Sequence, residues 1–346
     1  MKIKEALCFD DVLLVPKKSE ISSRTQISLN TSIGKKTFSL PIISSPMDTV
    51  TEKEMCLKMF SHGGLGIVHR DNTINDQCNI VRDIYDHLEQ TSNESINSIS
   101  AAIGVNDDFQ SRSLQLYNSG VRIFCVDVAH GHHSLVERAL KYLKDKFGSN
   151  TTIIAGNVAT PEGYVDLSNW GADAVRVGIG GGSICSTRIQ TGHGVPTLQS
   201  VIDCGLQDGA SIIADGGIKT TGDIVKAIAA GADMVMLGSM LAGTDESPGD
   251  IFKGNNGNKY KVYRGMASPE AQISWRGKAR SLEGISTTIP YKGPVTNILS
   301  DISQNIKSGL SYSGADSISK FQARSTFVRQ SNAGLSESKT HILLRK

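Results

Sequence analysis

A chain of 346 residues with 39% apolar and 20% charged residues and a formal net charge of +2 has the make-up of an ordinary globule. That balance gives no reason to expect a nucleic-acid or membrane partner, and no apolar run approaches the roughly eighteen residues of a membrane span. The length suits one large α/β barrel or two smaller domains.

Residues 1–40 are mixed in character, with Phe9-Asp10-Asp11-Val12-Leu13-Leu14 as a short apolar run, and read as a cap over one end of the domain. Met1-Lys2-Ile3-Lys4-Glu5 does not begin the long apolar region of a secretion signal. From residue 41 a rhythm sets in. Short apolar runs occur at 41–45, 65–68, 100–104, 123–128, 152–156, 174–178, 211–215 and 234–238. Between them lie helical patterns at 51–62, 74–89, 107–119, 133–147, from about 161, from Pro196, and at 220–230. Eight near-continuous apolar runs, each followed by a helix or loop, predict a parallel (β/α)8 barrel in an α/β fold, with strands buried on both faces. An open doubly wound sheet is the alternative.

The rhythm breaks at 243–292. Gly254-Asn255-Asn256-Gly257-Asn258 lies between two apolar runs and predicts a hairpin. Polar residues 267–288 read as a mobile loop, since insertions of this length are functional or disordered. A last helix is expected near 295–308, then a tail over 310–346. The expectation is a single domain over 1–346.

The six cysteines, at 8, 56, 78, 125, 185 and 204, show no paired spacing. Five sit in apolar or helical patterns, as buried thiols do, which points to a reducing cytoplasm and away from a disulfide or zinc framework. Cys185 differs. It lies in Gly178-Ile179-Gly180-Gly181-Gly182-Ser183-Ile184-Cys185-Ser186-Thr187-Arg188, followed by Gly192 and Gly194. A loop so rich in glycine turns backbone groups toward a ligand or ion, and a cysteine held there is a candidate nucleophile. The plainer reading is a flexible turn with an incidental cysteine.

In a barrel of this kind, ligand groups come from the loops after the strands. Those loops hold Ser44 to Asp48, His69-Arg70, Asp127-Val128-Ala129-His130-Gly131, Gly156-Asn157, the Cys185 loop, Asp215-Gly216-Gly217 and Gly238-Ser239. The last two follow strands 7 and 8, the usual phosphate place of the fold, although both also read as tight turns. Asp215 would repel a phosphate and suits ribose hydroxyls, while Ser183 offers a phosphate donor. Asp127 is either an acceptor for an amide or sugar or the N-cap of the next helix. His69 and Arg70 face an anion or solvent. The spacing of His130, His132 and His133 matches no zinc pattern. Glu283, on a loop able to fold over the mouth, is either a general acid–base or one surface charge among others.

Taken together, Phe9 to Leu14, Ser45-Pro46-Met47-Asp48-Thr49-Val50-Thr51-Glu52, the Cys185 loop, Ala214-Asp215-Gly216-Gly217, Tyr263-Arg264-Gly265-Met266 and Pro290-Tyr291-Lys292-Gly293 make the chain resemble the IMP dehydrogenase and GMP reductase family over essentially its whole length. The resemblance implies a TIM barrel, a purine nucleoside monophosphate substrate, a nicotinamide cofactor, a covalent Cys185 adduct, a monovalent cation and a homotetramer.

Within the family, three features resemble the reductase. Strand 3 follows His69 after about thirty residues, too few for the regulatory (Bateman) module usual in the dehydrogenases. No Arg-Tyr dipeptide, the dehydrogenase's water-activating pair, occurs between Met266 and Tyr291. Asp127-Val128-Ala129-His130-Gly131 resembles the reductase loop, and Arg280 with Glu283-Gly284 keeps its spacing. Other features lean toward the dehydrogenase: Ser45-Pro46-Met47, Tyr263-Arg264-Gly265 and the tail Ser331 to Ser338. Gly181 stands where the family usually has proline.

The resemblance thus implies NADPH-dependent reduction of GMP, or of a close guanine nucleotide such as dGMP, to IMP and ammonia. Cys185, Thr187 and Glu283 would be catalytic. Ser183, Asp215, Gly216, Gly217, Gly238, Ser239, Gly265, Met266, Ala267, Arg280 and Gly284 would bind the nucleotide. Ser23, Arg24, Arg70, Asp127, Val128, Ala129 and Arg280 would lie on the cofactor side. Backbone carbonyls of Gly180, Gly182 and Cys185, with Arg188, would hold K+. The alternatives are an IMP dehydrogenase without the regulatory module and a nucleotide-binding barrel without chemistry.

Overall fold

The computed structural model describes residues 3–91, 94–106, 108–276 and 283–340. Eight parallel strands close into a barrel in which β8 pairs back onto β1. They are β1 (Ile42–Ser44), β2 (Leu65–Val68), β3 (Ser100–Ile103), β4 (Ile123–Asp127), β5 (Thr152–Val158), β6 (Ala174–Val177), β7 (Ser211–Asp215) and β8 (Met234–Leu237). Every residue of β1, β2, β3, β6 and β8 is buried, because the barrel interior covers one face and the helices cover the other. This explains why the strands read as continuous apolar runs instead of alternating ones.

The connecting helices bury one stripe each. In Ile74–Gln90 the stripe is Cys78, Val81, Ile84 and Leu88; in Ser134–Phe147 it is Val136, Ala139, Leu140, Leu143 and Phe147. Their starts are capped by side chains: Thr73 accepts from Asp76 N at 3.1 Å, and Thr220 accepts from Asp223 N at 3.2 Å. Leu140 is fully buried, and truncating it to alanine removes about 2–5 kcal/mol of stability.

The first forty residues serve two places. The hairpin of Thr31–Ile33 and Lys36–Phe38 lies under the barrel, where Thr31 donates to the Asp233 carbonyl at 2.9 Å and Ser211 donates to the Ser32 carbonyl at 3.0 Å. Both contacts fall where β7 and β8 begin, opposite the mouth. Val12–Leu14 pairs instead with Phe327–Arg329, which ties the two ends of the chain together. Cys8 is exposed, contrary to the burial expected of it, because its neighbour Phe9 takes the inward position. Cys56, Cys78, Cys125 and Cys204 are buried.

After β8, Phe252–Lys253 forms a hairpin with Lys259–Arg264, and Ser286–Pro290 returns antiparallel beside the latter. Arg264 pairs with Ser286, so the excursion between them leaves and rejoins at one edge. Lys261, 3% exposed, donates to the carbonyls of Thr244 at 2.9 Å and Ser247 at 2.6 Å and fastens this small sheet to the barrel end. Within the stretch expected to be a loop, Pro269–Arg276 is a helix. Ser268 accepts from Ala271 N at 3.2 Å, Pro269 opens the first turn and Glu270 follows, a start signal the polar composition concealed. The last barrel helix, Val295–Tyr312, runs one turn beyond its expected end. Among the described residues no helix is long and apolar enough to cross a membrane.

Candidate active site

A cavity of about 460 Å³ opens at the carboxyl ends of the strands, and all eight strand ends or the loops after them, except that of β3, reach its wall. β6 brings in the Cys185 loop. Gly178 has φ +144°, and a Cβ there would lie 2.0 Å from the Asp215 carbonyl oxygen, so the loop leaves β6 pressed against β7 in a way only glycine permits. A side chain at Gly181 would meet Thr197 Oγ1 at 2.6 Å; Thr197 occupies the space beside this position. Arg188 donates to the carbonyls of Val195 at 2.7 Å and Ile179 at 3.3 Å and buckles the loop at its base.

At the loop's tip, the Cys185 thiol donates to Thr187 Oγ1 at 3.2 Å, and the Thr187 hydroxyl donates to Glu283 Oε2 at 2.9 Å. The backbone holds the far end of this relay in place. Ser186 N donates to the Glu283 carbonyl at 3.0 Å, Cys185 and Gly284 form a β-bridge, and Ile285 N donates to the Ile184 carbonyl at 3.1 Å. A thiol can therefore pass its proton through one hydroxyl to a carboxylate, leaving a thiolate facing the cavity.

Deeper in the barrel is a charge array that sequence reasoning missed. Arg176 of β6 is 6% exposed. It donates from Nη2 and Nε to Asp215 Oδ2, at 2.9 and 3.2 Å, and from Nη1 to Asp127 Oδ1. Asn157 adds a bond to the same Asp215 oxygen at 2.7 Å and one to the Gly178 carbonyl at 2.9 Å. Asp215 Oδ2 thus has three donors, while no donor among the described residues reaches Oδ1. Burial pushes the Asp127 carboxyl up, but Arg176 and Arg70 outweigh it and hold it below its ordinary value. The same two carboxylates overcome the burial of Arg176 and raise its pKa. Asp127 is not a helix cap; His133 caps the following helix by accepting from Leu135 N at 3.1 Å. The signal available was the lone arginine in Ala-Val-Arg-Val, since a charge in a strand buried on both faces requires partners.

The rim segment Gly265-Met266-Ala267 also lines the cavity. Arg264 anchors it, donating to Asp48 Oδ2 from Nε at 2.8 Å and Nη2 at 2.5 Å, while Asp48 N donates to Met266 Sδ at 3.4 Å. Ser183, Gly216, Gly217, Gly238 and Ser239 line the cavity too, with the Tyr263 hydroxyl bonded to Ser183. Lys292 donates to the Ser239 carbonyl at 2.5 Å, and burial pushes its ammonium down to about 8.

Arg70, Asp127, Val128 and Ala129 line the remaining side, as does Asp71, whose carboxyl burial raises to about 6. His69 is buried and not at a solvated surface: Nδ1 accepts from Asp71 N at 3.2 Å, which leaves Nε2 to donate to Glu52 at 3.0 Å. Ser23 and Arg24 are exposed and do not line the cavity, nor does Arg188, and Arg280 lies outside the described residues. His132 pairs with Asp166 at 2.7 Å, and no cluster of three His, Cys, Asp or Glu side chains suited to a metal occurs among the described residues.

The IMP dehydrogenase / GMP reductase domain signature matches residues 6–341. The inosine-5'-monophosphate dehydrogenase of Nitrosopumilus maritimus is 35% identical over 99% of this chain and 100% of its own length. The GMP reductase of Leishmania major is 33% identical over 98% of this chain and 97% of its own. These alignments run over 476 and 479 positions against 346 residues here, so both relatives carry inserted segments that this chain lacks. A crystal structure of a GMP reductase variant from Trypanosoma brucei in complex with guanosine 5'-monophosphate superposes with a TM-score of 0.91, at 31% identity and covering 98% of each chain.

Proposed function

The chain belongs to the IMP dehydrogenase / GMP reductase family of oxidoreductases, and within it we propose that it is a GMP reductase, converting GMP or a close guanine nucleotide to IMP and ammonia. The observation that carries this reading is the Cys185–Thr187–Glu283 relay, together with a rim segment that contains no Arg-Tyr pair to activate water.

The nucleotide lies with its phosphate on Ser183, Gly216, Gly217, Gly238 and Ser239, its ribose hydroxyls on Asp215 Oδ1, and its base against Gly265, Met266, Ala267 and Gly284. Cys185 attacks purine C2 as a thiolate after its proton has passed through Thr187 to Glu283. The same pair returns a proton to the C2 amino group, which leaves as ammonia and leaves a thioimidate on Cys185. Arg70, Asp127, Val128 and Ala129 would hold NADPH, whose chemistry would supply the hydride to C2, so that GMP, NADPH and two protons would become IMP, NADP+ and ammonium. The C2–S bond then breaks and the thiol is restored. Arg70 Nε and Asp71 Oδ2 are buried on that side without hydrogen-bond partners, which fits a polar ligand there.

The carbonyls of Gly180, Gly182 and Cys185 would hold K+ as uncharged oxygen ligands suited to its single charge, with Arg188 bracing the loop through the Val195 carbonyl. Ser23 and Arg24 are exposed and do not line their own chain's cavity, which suits a homotetramer in which they serve a neighbouring protomer.

Similarity to IMP dehydrogenases at 35–37% identity favours one rival, an IMP dehydrogenase without the regulatory module, which would oxidise IMP with NAD+ and water. Absorbance at 340 nm separates the two. A reductase lowers it with GMP and NADPH and leaves it flat with IMP and NAD+. The opposite pattern would overturn the proposal.

A further inference from the structure

Asp215 and Asp127 end β7 and β4, three strands apart around the barrel, yet one guanidinium holds both. Arg176 is planar, and its donors leave in fixed directions. Nε and Nη2 are committed to Asp215 and Nη1 to Asp127, so neither carboxylate can turn without carrying the other's partner with it. Cys125 Sγ lies 3.5 Å from Nη1, and Asn157 donates to the same Asp215 oxygen at 2.7 Å. Arg70 faces the outer oxygen of Asp127 at 3.6 Å, too far for a hydrogen bond, so Arg176 is the closer cation.

We infer that Arg176 is a positioning residue that couples the two halves of the site, so that nucleotide on Asp215 and dinucleotide beside Asp127 each strengthen the other's binding. Either ligand fixes the plane of the guanidinium, and the second ligand then meets a carboxylate already ordered. By linkage the effect is the same in both directions. The inference rests on the two-ligand site proposed above, but not on the direction of the reaction.

The test is calorimetric titration of nucleotide into protein with and without saturating oxidised dinucleotide. GMP with NADP+ serves, since neither carries a hydride to give; should turnover prove to run from IMP, IMP with NADH takes their place. That substitution keeps failure of the coupling distinct from failure of the reductase reading. In the native protein the dinucleotide should tighten nucleotide binding about fivefold or more. In Arg176→Lys, which keeps the charge but cannot bridge, the ratio should fall to about one, within a factor of two. Asp215→Asn should lose the ratio as well, and it decides the matter if Arg176→Lys does not fold. A merely structural role for Arg176 would lower thermal stability and both affinities while leaving the ratio unchanged. A native ratio of one, or a ratio that survives in either folded variant, overturns the inference.

Discussion

Thr187 donates to Glu283 at 2.9 Å although 96 residues separate them, and the bond joins the nucleophile's loop to the segment that covers it. The relay of Cys185, Thr187 and Glu283 therefore needs that segment seated against the loop. Glu283→Gln keeps the shape but removes the proton acceptor. We expect kcat to fall by about 10²–10⁴ while nucleotide affinity changes little. Steady-state rates beside calorimetric binding check this, and a variant within a few fold of native kcat would contradict the assignment.

Cys185→Ala should go further. Removing a covalent nucleophile costs several powers of ten in rate, whereas phosphate and ribose contacts remain, so nucleotide affinity should stay within about tenfold. NADPH oxidation and direct binding measure the two quantities separately. Near-native turnover in this variant rules out covalent chemistry at that sulfur.

Arg264→Met tests the anchor of the rim segment. Asp48 Oδ2 would lose two charged donors, and Asp48 Oδ1 is already buried without a partner. The cost should be about 1.5–3 kcal/mol of stability, with KM for the nucleotide rising more than kcat falls, because Met266 loses its seat. Thermal melts and a KM-against-kcat comparison decide; equal losses in both kinetic constants would place the anchor's role in the chemical step.

Asp71 predicts a pH signature. Burial raises its carboxyl to about 6, above the ordinary 3.8. Between those values the folded chain holds more protons than the unfolded one, so this group's contribution to stability is lost as pH rises toward 6. Asp71→Asn removes that loss. The variant should match native stability near pH 4 and exceed it by about 2–3 kcal/mol at pH 7. A stability difference independent of pH would show that the carboxyl is not perturbed.

The barrel was legible because its strands are buried on both faces and the glycines mark the loops between strand and ligand. Cys185, Asp215 and Ser239 could be found from their places after β6, β7 and β8. What escaped was pairing across the barrel. Arg176 is one letter in an apolar run, and nothing in the order of residues says that its partners end β4 and β7. The helix at Pro269–Arg276 was obscured by polar composition despite its serine cap. Cys8 looked buried because its neighbourhood is apolar, yet Phe9 and Val12 fill the core there. Asp48 and Arg264 each looked like a motif letter, and only the folded rim makes them a pair.

The most direct measurement is peptide mapping by mass spectrometry of enzyme mixed with GMP and NADPH and quenched at successive times. The account predicts that the peptide bearing Cys185 gains the mass of GMP less ammonia, and that Cys185→Ala never does. Turnover that proceeds while this peptide stays unmodified at every time point would contradict it.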